Sequence, residues 1–414
     1  MGKSPQQLYG ERLKRVEDAI ELKVPDRVPV IINPGFFATK HAGITGEDAF
    51  YDLGKWGAAI RKTLSDLGPD MYYLSDMLPG KVLEALDCLQ LRWPGHGVPP
   101  NHTHQFVEGE YMEADEYDAF LDDPSDYAIR TYLPRVFGAL EPLNKLPALR
   151  SMLFGYSRAA LTVALTQPEV VEAFDALSRA GHEMLKWRPV MSSLYGDIAD
   201  LGFPSFGQAR AASPFDTVSD YLRGMRGSML DMYRQPDKLL EACEKILPWA
   251  IEGGVSGARK SGNPRVFMAL HRGADGFMSS KQFETFYWPT LKRLILALVD
   301  QGLTPFVFFE GDYTSRLEYL LELPKGKVLG HFDTTDIFRA KEVLHGHMCI
   351  RGNVPSSLLQ TGSPQDVKDY CRELIDVVGR GGGFILSPRS SIDEAKLENL
   401  KAMFDFTGEY GVYS

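Results

Sequence analysis

Apolar runs without alternation recur along this sequence, and each is cut off by polar residues. Such a run reads as a strand buried on both faces, the signature of a parallel sheet. The sharpest spans residues 304–312 (TPFVFFEGD), opened by Pro305 and ended by Glu310, Gly311 and Asp312. Side chains alternate along a strand, so Phe306, Phe308 and Glu310 share one face. A carboxylate leaving a buried strand beside two phenyl rings is costly unless it is used. The competing structural roles for Glu310 are a cap on the helix expected over 314–321 or a pair with Arg316.

The same grammar repeats. Residues 26–34 (DRVPVIINP) predict a first strand ending at Asn33, Pro34 and Gly35. A helix follows over about 46–67, and PDMYYLSDM predicts a second strand with Asp76 near its end. From Asn263 the alternation becomes regular. RVFMALHRGADG ends in His271 and Arg272, with its helix over 281–301, and TPFVFFEGD is next. Residues 327–336 (KVLGHFDTTD) place His331 and Asp333 on one face, and residues 348–355 (MCIRGNVP) end at Asn353. Residues 381–390 (GGGFILSPRS) are the last strand, closed by a helix over 394–406. Five consecutive strand–helix units with polar exits predict an α/β fold, a (β/α)8 TIM barrel, with a doubly wound sheet as runner-up.

Two stretches depart from this rhythm. SPQQLYGERLKRVEDAIELK is an amphipathic helix that leads into the barrel. Residues 89–112 mix short strand-like pieces, Pro and Gly turns, and His96, His102 and His104, which predicts a hairpin-bearing excursion. Residues 89–150 together are expected to form an insertion within a single domain spanning 1–414. The three histidines have no cysteine and no helical i, i+4 partner, so they read as solvated loop residues. An acidic, exposed helix (EADEYDAFLDDPSDY) follows them. Helices over 158–189 and 231–261 then flank a strand-and-loop return at 198–211.

At 414 residues the chain fits one barrel with insertions, and 44% hydrophobic against 24% charged residues supports a large core. The formal net charge of −10 argues against nucleic acid or an anionic membrane surface as partner. Cys88, Cys243, Cys349 and Cys371 are scattered, as in a cytoplasmic protein with buried thiols. No run reaches membrane-spanning length, and the leading helix lacks the apolar stretch of a signal peptide, so a cytoplasmic location is expected. There is no GxGxxG after a strand and no Walker loop.

In a barrel the strand exits converge, so His271, Arg272, Glu310, Asp312, His331, Asp333 and Asn353 would ring one mouth. Each also has a structural role open to it. His271 could hold a loop, Arg272 could pair with Asp275 or Glu284, and Asp333 or Asp336 could cap the next helix. Asn353 could fix the turn before Pro355.

GNVPSSLLQTGSPQDVKDYCRELIDVVGRGGGFILSP followed by ENLKAM resembles the C-terminal half of the uroporphyrinogen decarboxylase superfamily, closest to its corrinoid-dependent methyltransferase branch of O-demethylase type. PDRVPV and DYLRGMRGSMLDMYRQPDKL extend the resemblance over most of the chain. It implies a (β/α)8 barrel with the substrate at its C-terminal mouth. Where the decarboxylases carry an RQAGR-like motif for porphyrin carboxylates, this chain reads INPGFF, without arginine. Where thiol-methylating members bind zinc through HxC and a later Cys, the matching positions are Phe308, Glu310 and Ser390.

Breaking a methyl–oxygen bond requires that the oxygen be protonated or bound to a Lewis acid as charge develops. Glu310 beside phenyl rings suits the first task, because desolvation raises a carboxyl pKa. As an alternative it is a metal ligand, in an oxygen-rich zinc set with His271 and Asp333. The expected activity is methyl transfer from a small methylated donor, a methoxyaromatic, to a corrinoid (cobalamin). No DxHxxG corrinoid signature is present, so that cofactor would ride on a partner protein. Glu310, His271 and Asp333 are the expected catalytic residues. Arg272, Phe308, Phe309, His331, Asn353 and Asn33 are the expected substrate-binding residues. A homodimer is left open. The alternative activity is decarboxylation or lysis of a small carboxylate gripped by Arg272, and a third reading is a non-catalytic binder.

Overall fold

The computed structural model describes residues 2–74 and 79–413; Asp76 lies outside them. The strands are β1 (Ile31–Ile32), β2 (Met71–Tyr72), β3 (Leu91–Pro94), β4 (Gly97–Val98), β5 (Gln105–Phe106), β6 (Ala209–Arg210), β7 (Arg265–Leu270), β8 (Thr304–Phe309), β9 (Leu329–Phe332), β10 (Cys349–Val354) and β11 (Phe384–Pro388). Strands β6 to β11 form one sheet, each pairing in parallel with the next. β1 and β2 pair in parallel separately. Isolated parallel bridges join Tyr72 to Ser205, just before β6, and Val30 to Leu386 of β11. The Phe206 amide donates to the Tyr72 carbonyl at 2.8 Å, and the Leu386 amide to the Pro29 carbonyl at 2.9 Å. Parallel contacts thus pass through eight strands and return to the first.

Helices fill the connections. Leu53–Leu67 lies between β1 and β2, Pro236–Ser261 between β6 and β7, and Trp288–Asp300 between β7 and β8. Ile337–Leu344, Pro364–Glu373 and Leu397–Tyr410 follow β9, β10 and β11. The helix expected over 46–67 is broken at Asp52, whose carboxylate accepts from the Lys55 amide and starts a new helix. The long predicted helix over 158–189 is two, Ser157–Ala164 and Pro168–Asp200, so helix runs on to Asp200 and the expected strand-and-loop return, with β6, occupies 201–211.

The strand period of two sorts the core. Ile31, Met71, Tyr73, Phe206, Phe306, Leu329, Cys349 and Ile385 pack together on one face of the parallel strands. Val307, Phe309, Phe332 and Leu386 face the other way and pack with Leu294 and Leu298 of the surrounding helices. Fully burying a Phe or Leu contributes about 1.5–3 kcal/mol, so each face is strongly held to its register.

The excursion is present as a small sheet in which β3 pairs with β5 antiparallel and with β4 in parallel. The acidic helix after it, Tyr117–Asp122, exposes Asp118 and Asp122 as expected but buries its other side. Its Tyr117 and Phe120 are buried, and the Tyr117 hydroxyl donates to Asp231 at 2.8 Å. All four cysteines are free thiols, three of them buried. No described helix is long and apolar enough to cross a membrane.

Candidate active site

A cavity of about 610 Å³ opens at the carboxyl ends of the parallel strands. Its walls come from residues that leave or end those strands: Asn33 after β1, Tyr73 after β2, Glu310 after β8, Asp333 after β9, and Ser390 and Ser391 after β11. The excursion reaches over it with His104 and Phe106. Phe306, Phe308 and Glu310 all line it, as strand alternation requires. Phe309 does not. It is 2% exposed on the opposite face, packed on Phe332 at 5.0 Å and Tyr313 at 5.1 Å. Its expected place in the pocket is therefore corrected by the same alternation that puts Phe308 there.

Glu310 takes up neither structural role open to it. The turn after β8 is held by Asp312, which accepts from the Thr314 amide at 2.9 Å. Arg316 donates to Ser280 and to the Met278 carbonyl, and lies 3.2 Å from Asp275. Water reaches 53% of the Glu310 side chain, which opens into the cavity. Protein nevertheless surrounds the carboxyl closely enough for desolvation to push its pKa above the usual range. His271 pulls it down, while Asp333 and Asp220 add to the rise.

His271 Nε2 stands 3.5 Å from Glu310 Oε2, and its Nδ1 is 2.5 Å from Asp220 Oδ2. Burial alone would push this imidazole down. The Asp220 hydrogen bond, with the charges of Asp216, Asp220 and Glu310, outweighs burial and raises it to about 9. The ring is thus protonated at neutral pH, donating at Nδ1 to Asp220 and presenting Nε2–H to Glu310. Asp216, fully inside the protein, is pushed up to about 6 by burial first and by Asp220 next. It accepts the amides of His271 at 3.3 Å and Arg272 at 3.0 Å, fixing the β7 exit.

Arg272 pairs with neither Asp275 nor Glu284. Its Nε donates to Ser219 at 2.8 Å, its Nη2 is 3.2 Å from Asp220, and its guanidinium lies over Phe277. With His271 it faces a second recess of about 240 Å³, which meets the main cavity at Phe106 and Tyr221.

Asp333 Oδ2 accepts the Gly311 amide at 2.9 Å and Oδ1 lies 3.6 Å from Arg389 Nε, while desolvation raises its pKa. His331 lines the cavity deeper down, between Phe308 at 4.7 Å and Phe306 at 5.9 Å. Burial, then the neighbouring Arg351, pushes it well below its usual range, so it is neutral. Asn353 stands behind the site. It is 3% exposed, donates to the Asp333 and Thr335 carbonyls and accepts from the Tyr370 hydroxyl. That side chain has the form of a brace for the β9 exit rather than of a substrate contact.

Among the described residues, no group of three His, Cys, Asp or Glu side chains could hold a metal ion. Of the set Glu310, His271 and Asp333, His271 meets Asp220 through Nδ1 and Asp333 accepts from Gly311 through Oδ2, and the three side chains form no such group here. His96 stacks on Trp93 at 4.7 Å, and His104 sits among Phe36, Phe50 and Phe106 with burial lowering its pKa.

Asp220 and Arg351 are absent from the sequence-derived set. Asp216 and Asp220 are one helical turn apart in DTVSDYLRG, a spacing that could have been noticed but points to no strand exit. Arg351 is the one charged residue of a fully buried strand, β10, a clearer signal.

The family model for uroporphyrinogen decarboxylase (URO-D) matches residues 201–410, half of the chain, from just before β6 to the last helix. The chain belongs to the uroporphyrinogen decarboxylase family. No curated protein matches its sequence. Among solved structures it is similar to a methyltransferase from Methanosarcina mazei, with a TM-score of 0.63 at 16% identity over 99% of each chain. The fold likeness to that structure thus extends over the N-terminal half as well. Phe308, Glu310 and Ser390 line one cavity in this URO-D chain.

Proposed function

We propose that this protein transfers a methyl group from a methoxylated aromatic donor to a reduced corrinoid carried by a partner protein. The observation that carries the reading is the Glu310 carboxyl, held toward its protonated form by desolvation, above Phe308 and beside a protonated His271. The eight parallel strands act as one (β/α)8 barrel, a reading supported by the bridges at Tyr72–Ser205 and Val30–Leu386. A cavity of about 610 Å³ suits a single substituted ring, leaving the corrinoid outside on its carrier.

The donor's ring lies against Phe308 and Phe306, with its ether oxygen at Glu310. The acceptor supplies the nucleophile that takes the methyl group. As the methyl–oxygen bond breaks, its electron pair stays on oxygen, and Glu310 gives that oxygen its proton so that a phenol leaves. The resulting carboxylate faces the His271 cation, whose charge Asp220 stabilises, and takes its proton back from water in the open cavity. Asp333 presents a second polar group at the rim, fixed by Gly311. Arg272, tied to Ser219 and Asp220, holds the β7 exit rather than gripping substrate.

Purified protein, a reduced corrinoid carrier and a panel of methoxyaromatics test the reading. Loss of the cobalt(I) absorbance with release of one phenol per methyl group is the expected result. Carbon dioxide release from carboxylated substrates without methyl transfer would overturn it in favour of a decarboxylase.

A further inference from the structure

Arg351 lies in the middle of β10, paired in register with His331 of β9 and Ile385 of β11. It is 2% exposed, yet it lines the 610 Å³ cavity. Its Nε and Nη1 have no hydrogen-bond partner among the described residues. The guanidinium rests over Phe306 at 4.9 Å and Phe206 at 5.8 Å. Ring faces attract a cation but offer no lone pair to an N–H, so the group stays under-satisfied.

Other inaccessible arginines of the chain are answered. Arg15 donates to Asp26 and Asp70, and Arg223 to Asp231 and the Met112 carbonyl. Burying a charge without acceptors is destabilising, and a purely structural arginine would carry its own carboxylate. The carboxylates of this cavity are engaged nearer the rim, Glu310 with His271 and Asp333 with Gly311. Arg210 adds a second cation at the deep end, over Tyr73 at 5.2 Å and Phe267 at 5.1 Å. Those rings and Phe306 pack on one another as a floor. The cavity therefore has Arg351 and aromatic rings below and an acidic pair above.

The register sets the spacing. Arg351, His331 and Phe308 are paired at one level across three strands. Glu310 lies two residues beyond Phe308, just past the end of β8, about 7 Å nearer the mouth at the usual strand rise. A benzene ring with substituents on opposite edges spans such a gap.

We propose that Arg351, beside the aromatic floor, is an anion subsite, and that the donor is a methoxylated aromatic carboxylate bound with its carboxylate at Arg351 and its methoxy oxygen at Glu310. The methoxy half of this assignment rests on the methyl-transfer reading; the anion half does not.

The test is equilibrium binding, which needs no turnover. 4-Methoxybenzoate and its neutral isostere 4-methoxybenzamide are titrated into wild-type protein and into Arg351→Gln. A charge-assisted contact predicts that wild type prefers the carboxylate by about 10- to 100-fold. Arg351→Gln should lose that preference and melt no lower than wild type without ligand, because an unanswered charge has been removed. Equal binding of acid and amide by wild type overturns the subsite, and this comparison decides even if the variant fails to fold. An undiminished preference in a folded Arg351→Gln overturns it as well. Methyl transfer only from neutral methoxyaromatics would defeat the subsite and leave the proposed function standing. Arg351-dependent carboxylate binding without transfer from any donor would defeat the proposed function and leave the subsite standing.

Discussion

His271 Nε2 lies 3.5 Å from Glu310 Oε2, and the other ring nitrogen of His271 is held by Asp220 at 2.5 Å. The pair joins the exits of β7 and β8, two adjacent strands of the sheet. An acid pushed toward neutrality beside a base pushed toward protonation keeps a transferable proton at the mouth of the cavity.

Glu310→Gln removes that proton while keeping size. Glu310 caps no helix, since Asp312 and Asp336 hold the turns that follow β8 and β9. Turnover should fall about 10²-fold or more, with donor binding and melting temperature little changed. A fully active variant would remove Glu310 from the chemistry.

The pH dependence tests Asp220. In Asp220→Asn the imidazole keeps its burial, which lowers its pKa, and loses the hydrogen bond that most strongly raises it. Asp216 and Glu310 still face the ring. Its titration, followed by NMR of the ring proton, should move down from about 9. The alkaline limb of the rate profile should move down with it. An unmoved titration would show that Asp220 does not set it.

Stability should follow the same group. His271 binds its proton more tightly folded than unfolded, so its contribution is complete below its ordinary value of 6.5 and is lost as pH rises through about 9. Because water reaches 35% of the side chain, the loss is discounted to about 1–2 kcal/mol. Denaturant unfolding of wild type and His271→Gln between those pH values should show the slope in the first and its reduction in the second.

Phe308 and Phe309 separate pocket from core. Phe309→Ala should cost about 3–5 kcal/mol of stability, because it empties a buried site between Phe332 and Tyr313. Phe308→Ala should leave most of the stability and raise the donor KM instead. Thermal melts and KM values for the two variants decide whether one strand position separates these effects.

Asn353→Ala should lower the melting temperature through the loss of about 1–3 kcal/mol, since three hydrogen-bond partners, one buried and two half-buried, are left without it. A raised KM in a variant of unchanged stability would instead place Asn353 in contact with substrate.

Much of this was legible in the sequence because strand alternation and strand exits are local. Period two puts Phe306, Phe308 and Glu310 on one face, and the same rule turns Phe309 away, although its aromatic character suggested the pocket. The unalternated apolar runs announced parallel strands, since such a strand must bury both faces. What each polar exit does is set by neighbours distant along the chain. Glu310 meets His271, His271 meets Asp220, and Asn353 meets the backbone beyond Asp333, through pairings that no single stretch contains. The tertiary structure also decided the meaning of Arg351. As sequence it is the one charge in β10; only parallel register with His331 and Phe308 places it in the cavity with Nε and Nη1 lacking an acceptor among the described residues. Hydrogen bonding and desolvation depend on what surrounds a group in three dimensions, and that is where the chemistry of this site is set.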